Sequence, residues 1–471
     1  MTVGAAAHLW GGSSLQRAYA MVTDKAKWQS QLESRLDEIL AAPFDVVELW
    51  QGEFLATDPE AVVTWLDHAT SYVAVKWPKT RLSTEIHVGN FADMWIDFRG
   101  EKGVFFYHLP KWADRALGIN VHTVFWFDLY RDWGAYRHPS FQLQRDLVFD
   151  QIGARKVRYI PESAYWASAD VDVPLFLPEY VESRWIDVSR LVADLKAKGL
   201  PELDGHVLYS SGHEWGYWLT DYLTAKMAFE PAQPLEHFLS MFTDAFGDCG
   251  PDVGAALRSF VELQRKALFD GRLVPYLAGE DSHDDFGVKT GIETIPARVS
   301  FEAVATMDEP SRARFEREVV DALASFAAAV DPHLAAVRAR CRGADAALRP
   351  WCDELADGIE IVALRARHAE RTYRAVLAYA RGDRGAARAR LGEARAITEG
   401  PAKAVIEARA SGYRFPQTTL IGKGKNATAY PFGYLAQAHT RCFWTRREEQ
   451  VQWLLENDEP APFSKIVSCQ E

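Results

Sequence analysis

No stretch of this chain approaches the roughly 18 consecutive apolar residues that a membrane-spanning helix needs, so no membrane partner is expected. Basic charge is scarce as well. Against 65 Asp and Glu stand 53 Lys and Arg, a formal charge of −12, and without a surplus of cations to neutralise phosphates nucleic acid is not an expected partner either. The Arg-rich helices after Ala336 do not alter this, because Glu and Asp interleave their positive charges and mark solvated helix faces. Cysteine is rare. The five present (Cys249, Cys341, Cys352, Cys442, Cys469) are odd in number, far apart and without metal-ligand spacing, which predicts free thiols in a reducing compartment. The opening residues Met1 to Ala7 lack the basic and apolar regions of a secretory signal, so the expected location is the cytoplasm, or outside the cell if the N-terminus is truncated. Asn426-Ala427-Thr428 matches a glycosylation acceptor, but it has no meaning without secretion. No internal repeat is present, and Lys423-Gly424-Lys425-Asn426 lacks the spacing and the Ser or Thr of a phosphate loop.

Tryptophan is what the chain has in excess, with 16 among 471 residues. Most of these rings belong to cores, but an indole beside a carboxylate is suited to leave one face at a binding surface. Three segments put Glu next to Trp or Tyr at the end of an apolar run: Phe44-Asp45-Val46-Val47-Glu48-Leu49-Trp50-Gln51-Gly52-Glu53, Arg158-Tyr159-Ile160-Pro161-Glu162-Ser163-Ala164-Tyr165-Trp166, and His206-Val207-Leu208-Tyr209-Ser210-Ser211-Gly212-His213-Glu214-Trp215. Strands of an α/β barrel end in this way, where side chains stop filling the core and meet a ligand. Carboxylates beside flat rings suit a polar, uncharged ligand, and a sugar fits best.

The first half alternates helix and strand. Thr23-Asp24 caps a helix through Trp28, Leu32, Leu36 and Leu40, and Asp58-Pro59 opens a second after the Phe44–Leu49 strand. Further strands are expected at Ser83–Val88, Ile119–Phe127, ahead of Glu162, and ahead of Glu214, with helices at Ser140–Gly153 and Val188–Lys198 between them and an irregular aromatic insertion over Phe91–Trp112. This is the signature of parallel βα units. Five are clear and a sixth is placed near Val3–Leu9, whereas a closed barrel has eight. From Tyr222 onward the pattern is helical, with Leu235–Phe246, Val253–Phe269, Arg312–Arg342, Ala346–Arg381, Arg384–Ser411 and Tyr434–Leu455 set apart by loops at Gly279–Val299 and Tyr413–Pro431. The predicted fold is therefore an α/β chain: a (β/α) barrel over residues 1–220, incomplete at its N-terminus, followed by an all-α domain over 221–471.

Counting the Gly205–Ser211 strand as the eighth puts Glu162 after the seventh, His122 on the sixth, His87 at the end of the fifth, and Glu48 and Glu53 on and after the fourth. In Glu53 (or Glu48), Glu162 and the flanking aromatics, over about Asp45 to Trp218, the chain resembles the superfamily of barrel-shaped glycoside hydrolases. The Asn-Glu pair of that pattern is replaced by Trp50-Gln51-Gly52-Glu53. The resemblance implies hydrolysis of a glycosidic bond by two carboxyls, Glu162 as nucleophile and Glu53 as acid/base, with Glu214 and Glu48 as further catalytic candidates. One acid protonates the leaving oxygen while the other attacks the anomeric carbon or activates water. Trp50, Tyr165, Trp166, Trp215 and Trp218 would stack on pyranose faces, and His87, Asn90, His122 and His213 would bond hydroxyls. The resemblance asks for no metal and no other cofactor. An arginine partner for Glu162, Arg158 or Arg184, is the structural alternative, and Asp128 is expected to cap the turn after it.

Two other functions fit the same residues. Histidines on successive strands, His87 and His122, with His213 and Glu214, could converge on a divalent ion in a metal-dependent hydrolase. A degenerate barrel could instead bind carbohydrate or serve as a scaffold without turnover. In the helical half, His439, Arg441, Trp444, Arg446, Arg447 and Glu448 share one helix, forming either a buried salt-bridge cluster or a site for an acidic sugar. Its long amphipathic helices also offer a surface for a homo-oligomer.

Overall fold

The computed structural model describes residues 3–10, 20–51, 58–89, 94–136, 138–164, 176–210, 217–277, 294–295, 298–412 and 441–462. They fall into two units: one within Met1–Glu162 and Ile186–Tyr209, the other within Ser163–Trp185, Ser210–Asn426 and Pro431–Glu471. The expected division at residue 220 is thus drawn earlier, and the second unit also takes the segment before Ile186.

The first unit is an α/β domain. Its elements run β1 (Gly4–His8), the helix Trp28–Ile39, β2 (Val46–Trp50), the helix Pro59–Lys76, β3 (Arg81–Ile86), β4 (Trp95–Phe98), β5 (Glu101–Phe105), β6 (Gly118–Thr123), β7 (Gly134–Ala135), the helix Gln142–Gln151, β8 (Val157–Ala164), β9 (Gly205–His206) and β10 (Tyr209–Ser210). A parallel sheet forms in the order β1-β2-β3-β6-β8, with β9 and β10 both beside β8, so that six positions are filled in chain order. The sixth strand expected near Val3–Leu9 is β1. Residues 20–22 run alongside its C-terminal end, where Met21 N donates to His8 O and Val22 N to Leu9 O, with a parallel bridge between His8 and Ala20. A closed barrel is not seen among the described residues. The expected aromatic insertion contains an antiparallel hairpin, β4 with β5, and a 3-10 helix at Phe106–Trp112. Alternation alone missed it because a Gly-rich turn with Arg99 and Gly100 both at positive φ interrupts the pattern.

Local chemistry explains the helices. Asp58 accepts from Glu60 N at the first turn of Pro59–Lys76, where the proline lacks only an N–H that would have no helical partner. Asp24 caps a short 3-10 turn leading into Trp28–Ile39. Asp128 caps as expected, its Oδ1 accepting from Tyr130 N and Arg131 N at 2.8 Å each.

The outer face of the sheet is apolar: Val47, Leu49, Ile86, Ile119, Val121 and Val157 are all buried. At the N-terminal ends of the strands Asp204 is clasped by Arg81, Lys156 and Arg158, beside a cavity of 240 Å³.

The second unit is helical. The long helix Arg349–Ala380 packs on Asp321–Cys341 and Arg384–Ile397. Cys341 and Cys352 form a disulfide with their Cα atoms 5.5 Å apart, which corrects the expectation of free thiols for this pair. Sequence spacing could not reveal it, because the turn between the two helices is what brings the pair together. The helical run Glu309–Cys341 is long and apolar enough to cross a membrane by length and composition. It is nonetheless tied to the following helix by Arg338 to Asp357 and Glu360, and by Arg367 to Asp331.

Candidate functional site

Register decides which side chains share the inner face. Glu48 pairs with Ser83 and Ser83 with Gly118; Glu85 pairs with Asn120 and Asn120 with Arg158; His122 pairs with Ile160. Because strand side chains alternate, Glu48, Trp50, Glu85, His87, Asn120, His122, Arg158 and Glu162 all point to one side. The buried faces of a parallel sheet are ordinarily filled by Val, Ile and Leu. Here Glu85, Asn120, His122 and Glu162 are 6%, 1%, 2% and 3% exposed. Burying so many polar groups carries a large desolvation penalty unless they are paired or used.

β6 organises the face through two successive inward residues. Asn120 Nδ2 donates to Glu48 Oε1 at 2.6 Å and to Ser83 Oγ at 3.1 Å. His122 Nδ1 donates to Ile160 O at 2.8 Å, and its Nε2 lies 3.7 Å from Glu162 Oε1. Inward positions on one strand are about 6.6 Å apart, so the Glu48 and Glu162 carboxyls lean on neighbouring side chains from opposite sides of β6. Glu162 Oε2 also accepts from Phe125 N at 2.5 Å, and Phe125 reaches it from the left-handed region at φ 55°. A bulky residue held there is strained, and strain of that kind concentrates at sites.

Around this pair lies a cluster of imidazoles. His87 stacks on His122 with centroids 5.1 Å apart and meets Tyr107 edge-on at 5.4 Å. Glu85 Oε1 is 3.7 Å from His87 Nδ1 and 3.8 Å from His122 Nδ1. Tyr209 faces His122 at 6.1 Å and Trp50 at 6.5 Å, and Trp50 meets His8 edge-on at 5.2 Å. Amides brace the strand ends beneath. Gln144 Nε2 donates to the carbonyls of Ile86, His87 and His122, and Gln51 Nε2 to those of Glu85 and Tyr107. His108 bonds Gln144 Oε1 at 2.8 Å, and burial pushes its pKa down to about 4, so it stays neutral.

The carboxyls differ in charge state. Burial, with the Glu85 carboxylate adding to it, raises Glu48 to about 7 despite the Asn120 bond. Burial would raise Glu85 too, but His87, His122 and His8 outweigh it and hold that group below its ordinary value. One carboxyl is therefore poised to hold a proton near neutrality and another is kept ionised, the division of labour that acid–base chemistry uses.

No family model matches this chain, and no curated protein matches it.

Of the residues singled out in the sequence, Glu48, Trp50, His87, His122 and Glu162 share the inner face. Glu53, Asn90, Tyr165, Trp166, His213, Glu214 and Trp215 lie outside the described residues. Trp218 is on the helix Tyr217–Phe229, its side chain outside them. Arg158, one of the structural partners considered for Glu162, instead bonds Asp204 Oδ2 at 3.1 Å through Nε and Nη2. Sequence reasoning missed Glu85, Asn120, Tyr209 and Gln144. Alternation could have found Glu85, two positions before His87 and so on the same face; nothing local marks Gln144, a helix residue that acts through long-range carbonyls.

In the helical unit Trp444, Arg446, Arg447 and Glu448 are buried, and Glu448 Oε1 bonds His368 Nε2 at 3.0 Å and Thr398 Oγ1 at 2.5 Å. That arrangement is a buried polar seam between helices.

Proposed function

We propose that the inner face hydrolyses a glycosidic bond in a carbohydrate, with Glu162 as the carboxylate that attacks the anomeric carbon or activates water and Glu48 as the proton donor. The observation that carries this reading is the placement of two carboxyls, far apart in the chain, against Asn120 and His122 on one face of one strand. Both hydrolytic routes require such a pair. Trp50 and Tyr209 supply ring faces for a pyranose, and His87 and His122 supply hydroxyl partners. Glu53 and Glu214 remain candidates for the acid on the strength of sequence position. Strands adjacent in chain order and joined through helices support the finer reading of the sheet as part of a (β/α) barrel, whose sites gather at the C-terminal ends of strands. The Cys341–Cys352 disulfide favours an oxidising compartment over the cytoplasm.

The test is release of reducing sugar from a panel of polysaccharides and aryl glycosides. Wild type should turn over at least one substrate, and Glu162→Gln should lose activity by at least a thousandfold with an unchanged circular dichroism spectrum. Wild-type rates in Glu162→Gln would remove that residue from the chemistry. Tight saccharide binding with no turnover in any variant would make the protein a binder.

A further inference from the structure

We propose that Glu85, His87 and His122 hold a divalent transition-metal ion of the zinc class. The three come from inward positions on adjacent strands, two from β3 and its C-terminal extension and one from β6, and their ligand atoms lie within 4.8 Å of one another. A tetrahedral ion with bonds of about 2.0–2.1 Å sets its donors about 3.3 Å apart. The 3.7 Å separation from Glu85 Oε1 to His87 Nδ1 falls within half an ångström of that spacing. Two imidazole nitrogens and one carboxylate oxygen are the donor set of zinc sites that keep an open position.

The surroundings fit ligation. His122 Nδ1 bonds the Ile160 carbonyl, the outer hydrogen bond that orients a ligating imidazole, and an ion on Nε2 keeps it. Glu162 Oε1, 3.7 Å from that Nε2, then stands beside the open position as a fourth donor or as the acceptor of a proton from ion-bound water. Gln144, bonded to the carbonyls of His87 and His122, fixes the two strand ends that carry the imidazoles. The proposal does not rest on the carbohydrate reading, because metal binding is measured without turnover.

The experiment uses the full chain stripped with a chelator and titrated with Zn²⁺ by calorimetry and with Co²⁺ by visible absorption. One equivalent should bind, with the intense absorption of a four- or five-coordinate Co²⁺ site. Glu85→Gln and His87→Gln should each weaken Zn²⁺ binding by at least tenfold, while His333→Ala leaves it unchanged. Should either site variant fail to fold, the wild type still decides: bound Co²⁺ must shift the ring protons of His87 and His122 paramagnetically. Absence of stoichiometric binding, full affinity in folded Glu85→Gln, or unshifted His87 and His122 resonances would each overturn the proposal.

Discussion

Replacing Glu48 by Gln isolates the protonation state on which the acid role depends. Gln keeps the shape of the side chain and an oxygen for the Asn120 amide, but it cannot ionise. In the folded protein burial and the Glu85 carboxylate lift Glu48 from 4.5 to about 7. A raised carboxyl contributes stability that is fully present below its unfolded value and is lost as pH rises through the folded one. The window therefore runs from about pH 4.5 to pH 7. A shift of this size corresponds to about 3 kcal/mol between its two ends. The wild type should lose that amount of stability relative to Glu48→Gln between pH 4 and pH 8, so the variant gains on the wild type as pH rises. Pulse-labelling hydrogen exchange along a urea titration, followed on peptides from β2 and β6, reads the sheet separately from the helical unit. A difference between variant and wild type that stays constant from pH 4 to pH 8 would refute the reasoning, because Glu48 would then ionise normally.

Gln144→Leu leaves the carbonyls of Ile86, His87 and His122 without this donor in a buried place, and should lower stability by about 2–4 kcal/mol in urea unfolding. Cys341→Ser with Cys352→Ser opens a crosslink of sequence separation 11, and the chain-entropy cost predicts a loss of about 3 kcal/mol, with the same fall in melting temperature when the wild type is reduced. Asp204→Asn removes the anion shared by Arg81, Lys156 and Arg158. Burial opposes the charge on Asp204, but Lys156 and Arg158 outweigh it and hold the pKa below 3.8; wild-type stability from this group is present above that value and lost as pH falls, so the variant's deficit should shrink below about pH 4 in acid denaturation.

Much of the sheet was legible because its signals are local. Apolar runs ending beside a carboxylate and aromatic rings marked the strand expected at Phe44–Leu49, observed at Val46–Trp50, and the one ahead of Glu162, observed at Val157–Ala164, and Asp58-Pro59 marked a helix start, so the parallel βα order followed without coordinates. The β4–β5 hairpin was hidden because its turn relies on backbone conformations that composition does not announce. Within the site, Glu48, His87, His122 and Glu162 stood out as strand-end groups beside aromatics. What could not be read was which of them touch: the Asn120 and His122 contacts depend on the register between β2, β6 and β8, which short sequence windows do not determine. The clasp that draws Arg158 to Asp204, and so away from the role considered for it beside Glu162, is likewise a long-range outcome.

The proposed function requires that Glu48 and Glu162 serve one ligand. Its most direct test is the ¹³Cδ spectrum of glutamate-labelled protein, assigned with Glu48→Gln and Glu162→Gln, during titration with a saccharide that the wild type turns over or binds. Both resonances should move together along one saturation curve, and in the free protein the Glu48 signal should titrate near pH 7. If one carboxyl responds while the other stays still at saturation, the two do not share a site and the account fails.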